Sequence, residues 1–150
     1  FGFSDAATAL MALEPMVQSH QNGLSSFRTF LDSPRKRDIL IKIILPKKNW
    51  KTSYQTLRKT ATDFPVLSAA TSLCEEGKWR ISIGARPGKA VLAENSANLL
   101  PQHPDEDQIN AACDSVIREL SFGTDQRGSR TYREILAKVL VKRGITKICR

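Results

Sequence analysis

The stretch GSRTYREILAKVLVKRG, residues 128–144, decides the fold. Tyr132, Ile135, Leu136, Val139 and Leu140 recur at helical spacing, which predicts an amphipathic helix with one apolar stripe. Ser129 or Thr131 caps its start, Lys142 and Arg143 suit its negative C-terminal end, and Gly144 is expected to stop it. On this reading the Tyr132 ring lies in the core and the basic positions form a solvated face.

A second helix precedes it. Ile109, Ala112, Cys113, Val116, Ile117 and Leu120 again keep helical spacing, and Asp105 with Gln108 forms a capping box. The acids at 105–107 fit the positive end of this helix better than a cation site, because no regular oxygen-ligand spacing follows them. Cys113 falls on the inner face as a small core residue.

Strands come before these helices. WKTSYQTLRK at 50–59 alternates, FPVLSAATSLCEE at 64–76 and KWRISIGA at 78–85 flank Gly77 as a hairpin, and KAVLAE at 89–94 adds a further strand before a helical turn near 95–100. Nearer the start, DAATALMAL at 5–13 predicts a helix capped by Asp5 or Ser4 and closed before Pro15. MVQSH at 16–20 reads as a strand, SSFRTFLD at 25–32 as a helical turn or loop, and RDILIKIILP at 37–46 as a strand, followed by a hinge at 47–49. Strands first and helices last predict an α+β domain: a small antiparallel sheet of three or four strands packed with about three helices.

The formal charge of +8 is zoned. Residues 27–60 carry ten Lys or Arg against two acids, residues 125–150 eight against two, and the segment between them nine acids against five bases. Such zoning attracts phosphate, anionic lipid or an acidic protein surface. The three cysteines, Cys74, Cys113 and Cys149, are far apart and form no CxxC or CxxH pair, so no metal site is expected and a cytoplasmic setting is. The longest apolar run, ILIKIIL at 39–45, is broken by Lys42 and falls short of the roughly 20 residues that cross a bilayer.

No catalytic residue is expected. His20 and His103 sit in polar or turn-like surroundings without a ligand or triad partner at useful spacing, and no GxSxG occurs. GARPGKA at 84–90 lacks the spacing of a phosphate loop. Arg127, Arg130 and Arg133 around Tyr132 offer little for nucleic acid once Tyr132 is placed in the core, so neither nucleic acid nor membrane is an expected partner.

Five stretches, in order, resemble the FAD-binding subunit or domain of the molybdenum hydroxylases, the xanthine dehydrogenase, aldehyde oxidase and carbon monoxide dehydrogenase type. They are SDAATALMAL at 4–13, LSSFRTFLDSPRKRDILIKIILP at 24–46, LRKTATDFPVLSAATSL at 57–73, ISIGARPGKAVLAENSANLL at 81–100 and DQRGSRTYREILAKVLVKR at 125–143. The resemblance implies that residues 1–48 are the tail of an FAD-binding middle domain and 49–150 a flavoprotein C-terminal domain. It implies FAD in the intact subunit but not held by this piece alone, since the family's glycine-rich pyrophosphate stretches precede the part present here. Molybdopterin and iron–sulfur clusters are implied on partner subunits. It places Asp5 at the ribityl side of FAD, Leu40 in apolar contact with the cofactor, and Gln55 where some members set a lysine against the flavin ring. Gln55 would donate a hydrogen bond there without a positive charge.

The expected function is the C-terminal part of a molybdenum-containing oxidoreductase subunit, moving electrons from iron–sulfur clusters through FAD to NAD or another acceptor. The piece alone is expected to be inactive, and the opening at Phe1 without a methionine fits a piece of something longer, or a complete domain freed of a tag. The other reading is a non-enzymatic basic module that binds an acidic protein or nucleic acid through residues 27–60.

Overall fold

Residues 4–33 and 38–150 are described by the computed structural model. Phe1, three of the bases of the 27–60 stretch (Arg35, Lys36 and Arg37) and the expected strand start at Arg37 lie outside the described residues.

Helix α1 spans Asp5–Leu13. Ser4, rather than Asp5, is its N-cap: the Ser4 Oγ accepts the Ala7 N–H at 3.1 Å. Glu14 ends the helix in the left-handed region, φ 52°, and Pro15 prevents its continuation. Strand β1 (Met16–Ser19) turns back on β2 (Gly23–Ser26), with Gly23 at φ 68° entering the second strand. Helix α2 (Phe27–Asp32) follows, and β3 (Leu40–Ile44) pairs with the other side of β1, giving an antiparallel sheet of order β2-β1-β3. Strand β2 corrects the sequence reading, which runs a helical turn or loop from residue 25. Its residues, Gly-Leu-Ser-Ser, carry almost no strand propensity, and only pairing with β1 makes them extended.

The larger sheet holds β4 (Lys51–Leu57), β5 (Leu67–Leu73), β6 (Trp79–Gly84) and β7 (Val91–Leu92), all antiparallel and in that order. Gly77, at φ 77°, makes the β5–β6 hairpin where the sequence puts it. Helices α3 (Glu94–Ala97), α4 (Glu106–Glu119) and α5 (Arg130–Cys149) complete this unit. The expected sheet of four strands backed by three helices is therefore present. Asp105 and Gln108 form the full capping box of α4, with hydrogen bonds of 2.8 and 2.9 Å.

The two faces of this sheet differ. One carries Leu67, Ala69, Ile81 and Ile83 into an apolar core with α4 and α5 that also takes in Cys113, Val116, Leu140 and Ile145. Each fully buried aliphatic side chain there contributes about 1.5–3 kcal/mol. The other face carries Ser68, Ala70, Ser72 and Ser82 toward α1, where Thr8 Oγ1 meets Ser68 Oγ at 3.1 Å and Ser72 donates to the Ala12 carbonyl at 2.7 Å. Small residues bring α1 close: a β-carbon on Gly84 would stand 1.8 Å from Thr8 Oγ1. The small sheet shares a second core, Met11, Val17, Phe27 and Ala90.

Helix α5 departs from the sequence reading in two ways. Gly144 does not stop it; the helix continues to Cys149, and Gly144 is buried against β5. The buried arc is Arg133, Leu136, Ala137, Leu140, Val141, Gly144, Ile145 and Ile148, whereas Tyr132, Ile135 and Val139 are 43%, 58% and 37% exposed. Arg133, expected on a solvated face, has no exposed surface. It is held there by its hydrogen bonds: Nε donates to the Val66 carbonyl at 3.0 Å, Nη1 to those of Gly123 (2.8 Å) and Gly128 (2.5 Å), and Nη2 to Asp125 Oδ1 at 2.5 Å. A buried guanidinium with four such acceptors is satisfied, and Asp125 compensates its charge.

Candidate functional site

Because Ser4 caps α1, the Asp5 carboxylate one residue on is free to reach across to the larger sheet. Tyr54 of β4 donates its hydroxyl hydrogen to Asp5 Oδ1, and Arg58, just past β4, donates from Nη2 to Oδ2 at 2.5 Å. Arg58 Nη1 donates to the Asp63 carbonyl at 2.8 Å, tying the guanidinium to the β4–β5 connection. Partial burial, reinforced by the Asp5 carboxylate, pushes the Tyr54 phenol up to about 12. The Asp5 side chain keeps 36% of its surface exposed. A carboxylate offers about four lone-pair sites, so two accepted bonds leave room for hydroxyl donors from outside.

Tyr54 and Arg58 share a face because they are four residues apart along extended chain. The sequence reading quotes both residues but names neither as a site residue. Their only local signal is that same-face spacing, since the connection to Asp5 spans 49 and 53 positions.

Gln55 points the other way. It pairs with Ala69, whose side chain joins the core beneath α4 and α5, while Tyr54 pairs with Ala70 on the α1 face. Gln55 is half-buried and donates from Nε2 to Ser53 Oγ at 2.9 Å. The structure thus joins Asp5 to Tyr54 and Arg58 and does not bring Gln55 to Asp5. Leu40 opens β3 opposite Ser19 at the rim of the small sheet and is 44% exposed. Its neighbours Ile41, Ile43 and Ile44 are exposed as well, so both faces of this edge strand are apolar and uncovered among the described residues.

A second depression, of about 570 Å³, lies at the hairpin end of the larger sheet and is lined by Glu14, Lys48, Trp50, Cys74, Arg80 and Asn95, among others. Several of its charges pair: Glu14 receives Arg80 and Lys48, Lys78 meets Glu76, and the Lys48 ammonium sits 4.4 Å from the Trp50 ring. Burial raises the Cys74 thiol above its ordinary value, which disfavours a thiolate nucleophile. Among the described residues no group of three or more His, Cys, Asp or Glu side chains is placed to hold a metal ion, and no helix is long and apolar enough to cross a membrane. The chemistry on offer is therefore recognition through the Asp5 cluster, with no nucleophile–base pair beside it.

The family model of the CO dehydrogenase flavoprotein C-terminal domain matches residues 52–148. A search of curated protein sequences finds no match. Among solved structures, quinoline 2-oxidoreductase from Pseudomonas putida 86 superposes with a TM-score of 0.84 at 20% identity, over 99% of this chain and 56% of that one. A carbon monoxide dehydrogenase from Hydrogenophaga pseudoflava, lacking the Mo-pyranopterin moiety of its molybdenum cofactor, gives 0.83 at 19% identity over 99% and 58%. Reconstituted CO dehydrogenase from Oligotropha carboxidovorans gives 0.83 at 17% identity over 98% and 57%. This chain spans only 56–58% of the length of those three chains. At such identities the likeness establishes the fold.

Proposed function

The chain belongs to the CO dehydrogenase flavoprotein C-terminal domain family, and from that premise we propose that it is the rear portion of the FAD-binding subunit of a molybdenum hydroxylase. In this reading residues 1–48 complete a flavin-binding middle domain and residues 49–150 form the C-terminal domain. The uncovered apolar edge at Leu40, Ile41, Ile43 and Ile44 supports the first assignment, because an edge strand with apolar residues on both faces calls for more structure beside it. The partners are the iron–sulfur and molybdenum subunits, or domains, of the same cytoplasmic complex.

The residues present fit a rim of the flavin site. Asp5 carries the reading: its carboxylate is held from two sides, keeps lone pairs and remains reachable, which suits the vicinal hydroxyls of a ribityl chain. Tyr54 and Arg58 fix its position. Leu40 supplies apolar contact. Gln55, on the opposite face of the sheet, takes no part beside Asp5. No glycine-rich stretch for the pyrophosphate occurs in these residues, so the phosphates are held elsewhere in the subunit. FAD, when bound, would accept electrons singly from clusters and deliver them to NAD as a hydride, or to another acceptor. This chain's part is to bind and orient one side of the cofactor and to keep water from it.

The test is FAD titration of the polypeptide that carries these residues behind its upstream segment. Replacing Asp5 by Ala removes charge-assisted hydrogen bonds worth about 1.5–3 kcal/mol, so the dissociation constant should rise about tenfold or more. An unchanged constant in a folded variant removes Asp5 from the site.

A further inference from the structure

The outer edge of β4 and the flank of α5 beside it form a shelf that the flavin reading does not use. Strand β4 ends the four-strand order, so the backbone N–H and C=O groups along its outer edge have no neighbouring strand among the described residues. Helix α5 lies over β4 and β5 and runs antiparallel to β4: Arg133 reaches Val66 at the Leu57 end, and Gly144 lies over Thr71, the partner of Ser53. Helix α4 occupies one side of α5, where Lys138 meets Asp114 at 2.6 Å and Lys142 meets Glu106 at 2.9 Å. The opposite side, toward the free edge, exposes Tyr132 and Val139, while Ile135 lies on the outer face between the two sides. Farther along that side the flank turns basic at Arg143 and Lys147, in the last turns of the helix, whose end at Cys149 lies near Lys51 at the start of β4. None of these three cations has a carboxylate partner among the described residues, although Arg130, Lys138 and Lys142 of the same helix all do.

From this juxtaposition we propose that the shelf docks an extended segment of a partner polypeptide, added antiparallel to β4, with apolar side chains followed by acidic ones. The edge supplies main-chain hydrogen bonds, Tyr132 and Val139 supply an apolar wall for alternate side chains, and antiparallel pairing brings the C-terminal end of the segment to Lys51, Arg143 and Lys147. Charge complementarity fixes the direction of the segment. A basic or neutral strand gains the edge and the wall but forfeits the cations, and a parallel one carries its acids to the wrong end.

The test uses the full chain and three fluorescent peptides as long as β4. The first alternates valine with threonine and ends in glutamates; the second ends in lysines; the third repeats the first with alternate backbone amides N-methylated. The first should bind and lose affinity as salt is raised, the second should be weaker by about tenfold or more, and the third should not bind. The R143E/K147E double variant, both positions being exposed, should lose about tenfold for the first peptide with its unfolding midpoint unchanged. Equal binding of all three peptides overturns the proposal, as does binding of none. A chain that sedimentation shows to be dimeric, and that Val139→Asp makes monomeric, also overturns it, because a second copy then fills the shelf.

Discussion

Gly144 of α5 and Thr71 of β5 are in direct contact, so close that a β-carbon on the glycine would stand 2.7 Å from Thr71 Oγ1 and 3.2 Å from its Cγ2. Thr71 is buried and β-branched, so it has little room to yield. Gly144→Ala gains up to about 1 kcal/mol of helix propensity and loses about 1–3 kcal/mol to overpacking. The expected net result is destabilisation, read as a lower urea midpoint at unchanged slope. A stabilised variant would mean that α5 is free to lift from the sheet.

Arg133 joins the start of α5 to the loop at 123–128 and to the end of the β4–β5 connection. Arg133→Met takes the guanidinium donor from three backbone carbonyls and from Asp125, of which Asp125 and the Gly128 carbonyl keep backbone donors, and leaves the Asp125 charge without its buried partner; it should cost about 3–5 kcal/mol. Arg133→Lys should recover part of this, since one ammonium cannot reproduce the fork.

The same pair sets an acid limit. Burial alone would raise the Asp125 carboxyl, but the hydrogen bond from Arg133 and those from the Arg127 and Gly128 amides outweigh it and leave it below the ordinary value. A carboxyl lowered on folding contributes stability that is complete above its unfolded value of about 3.9 and is lost as pH falls through the folded one. Acid unfolding below about pH 4 should therefore be steeper in the parent chain than in Asp125→Asn, as measured by circular dichroism against pH.

At the alkaline end Tyr54 reports on the Asp5 cluster. Its phenol stands at about 12 in the folded chain, against about 10 unfolded. The contribution is present below the unfolded value and disappears as pH rises through the folded one. Between these limits the parent chain should lose stability faster than Tyr54→Phe, which has no proton to release. Parallel loss in both would place Tyr54 away from Asp5.

What the sequence made legible was local. The hairpin at Gly77 and the capping box of Asp105 with Gln108 depend on residues a few positions apart, and both stand as read. Helix α5 was visible as a helix, but its inward face was misjudged. Ile135 and Val139 imitate a core stripe, while the buried arc hides a charge at Arg133, held by the 123–128 loop and by Val66 67 positions away, and a glycine at 144 whose partner Thr71 lies 73 positions away. The exchange of caps at α1 is the same lesson on a smaller scale. Ser4 and Asp5 are equal candidates by type, and only the distant Tyr54 and Arg58 decide which of them caps the helix and which turns outward.

The central claim, that these residues form the rear of a flavin-holding subunit, is tested most directly by flavin content. The polypeptide extended through the coding region upstream of Phe1 should purify with one FAD per chain, measured by flavin absorbance after denaturation. An extended, folded polypeptide that neither carries FAD nor takes it up when reconstituted would contradict the account.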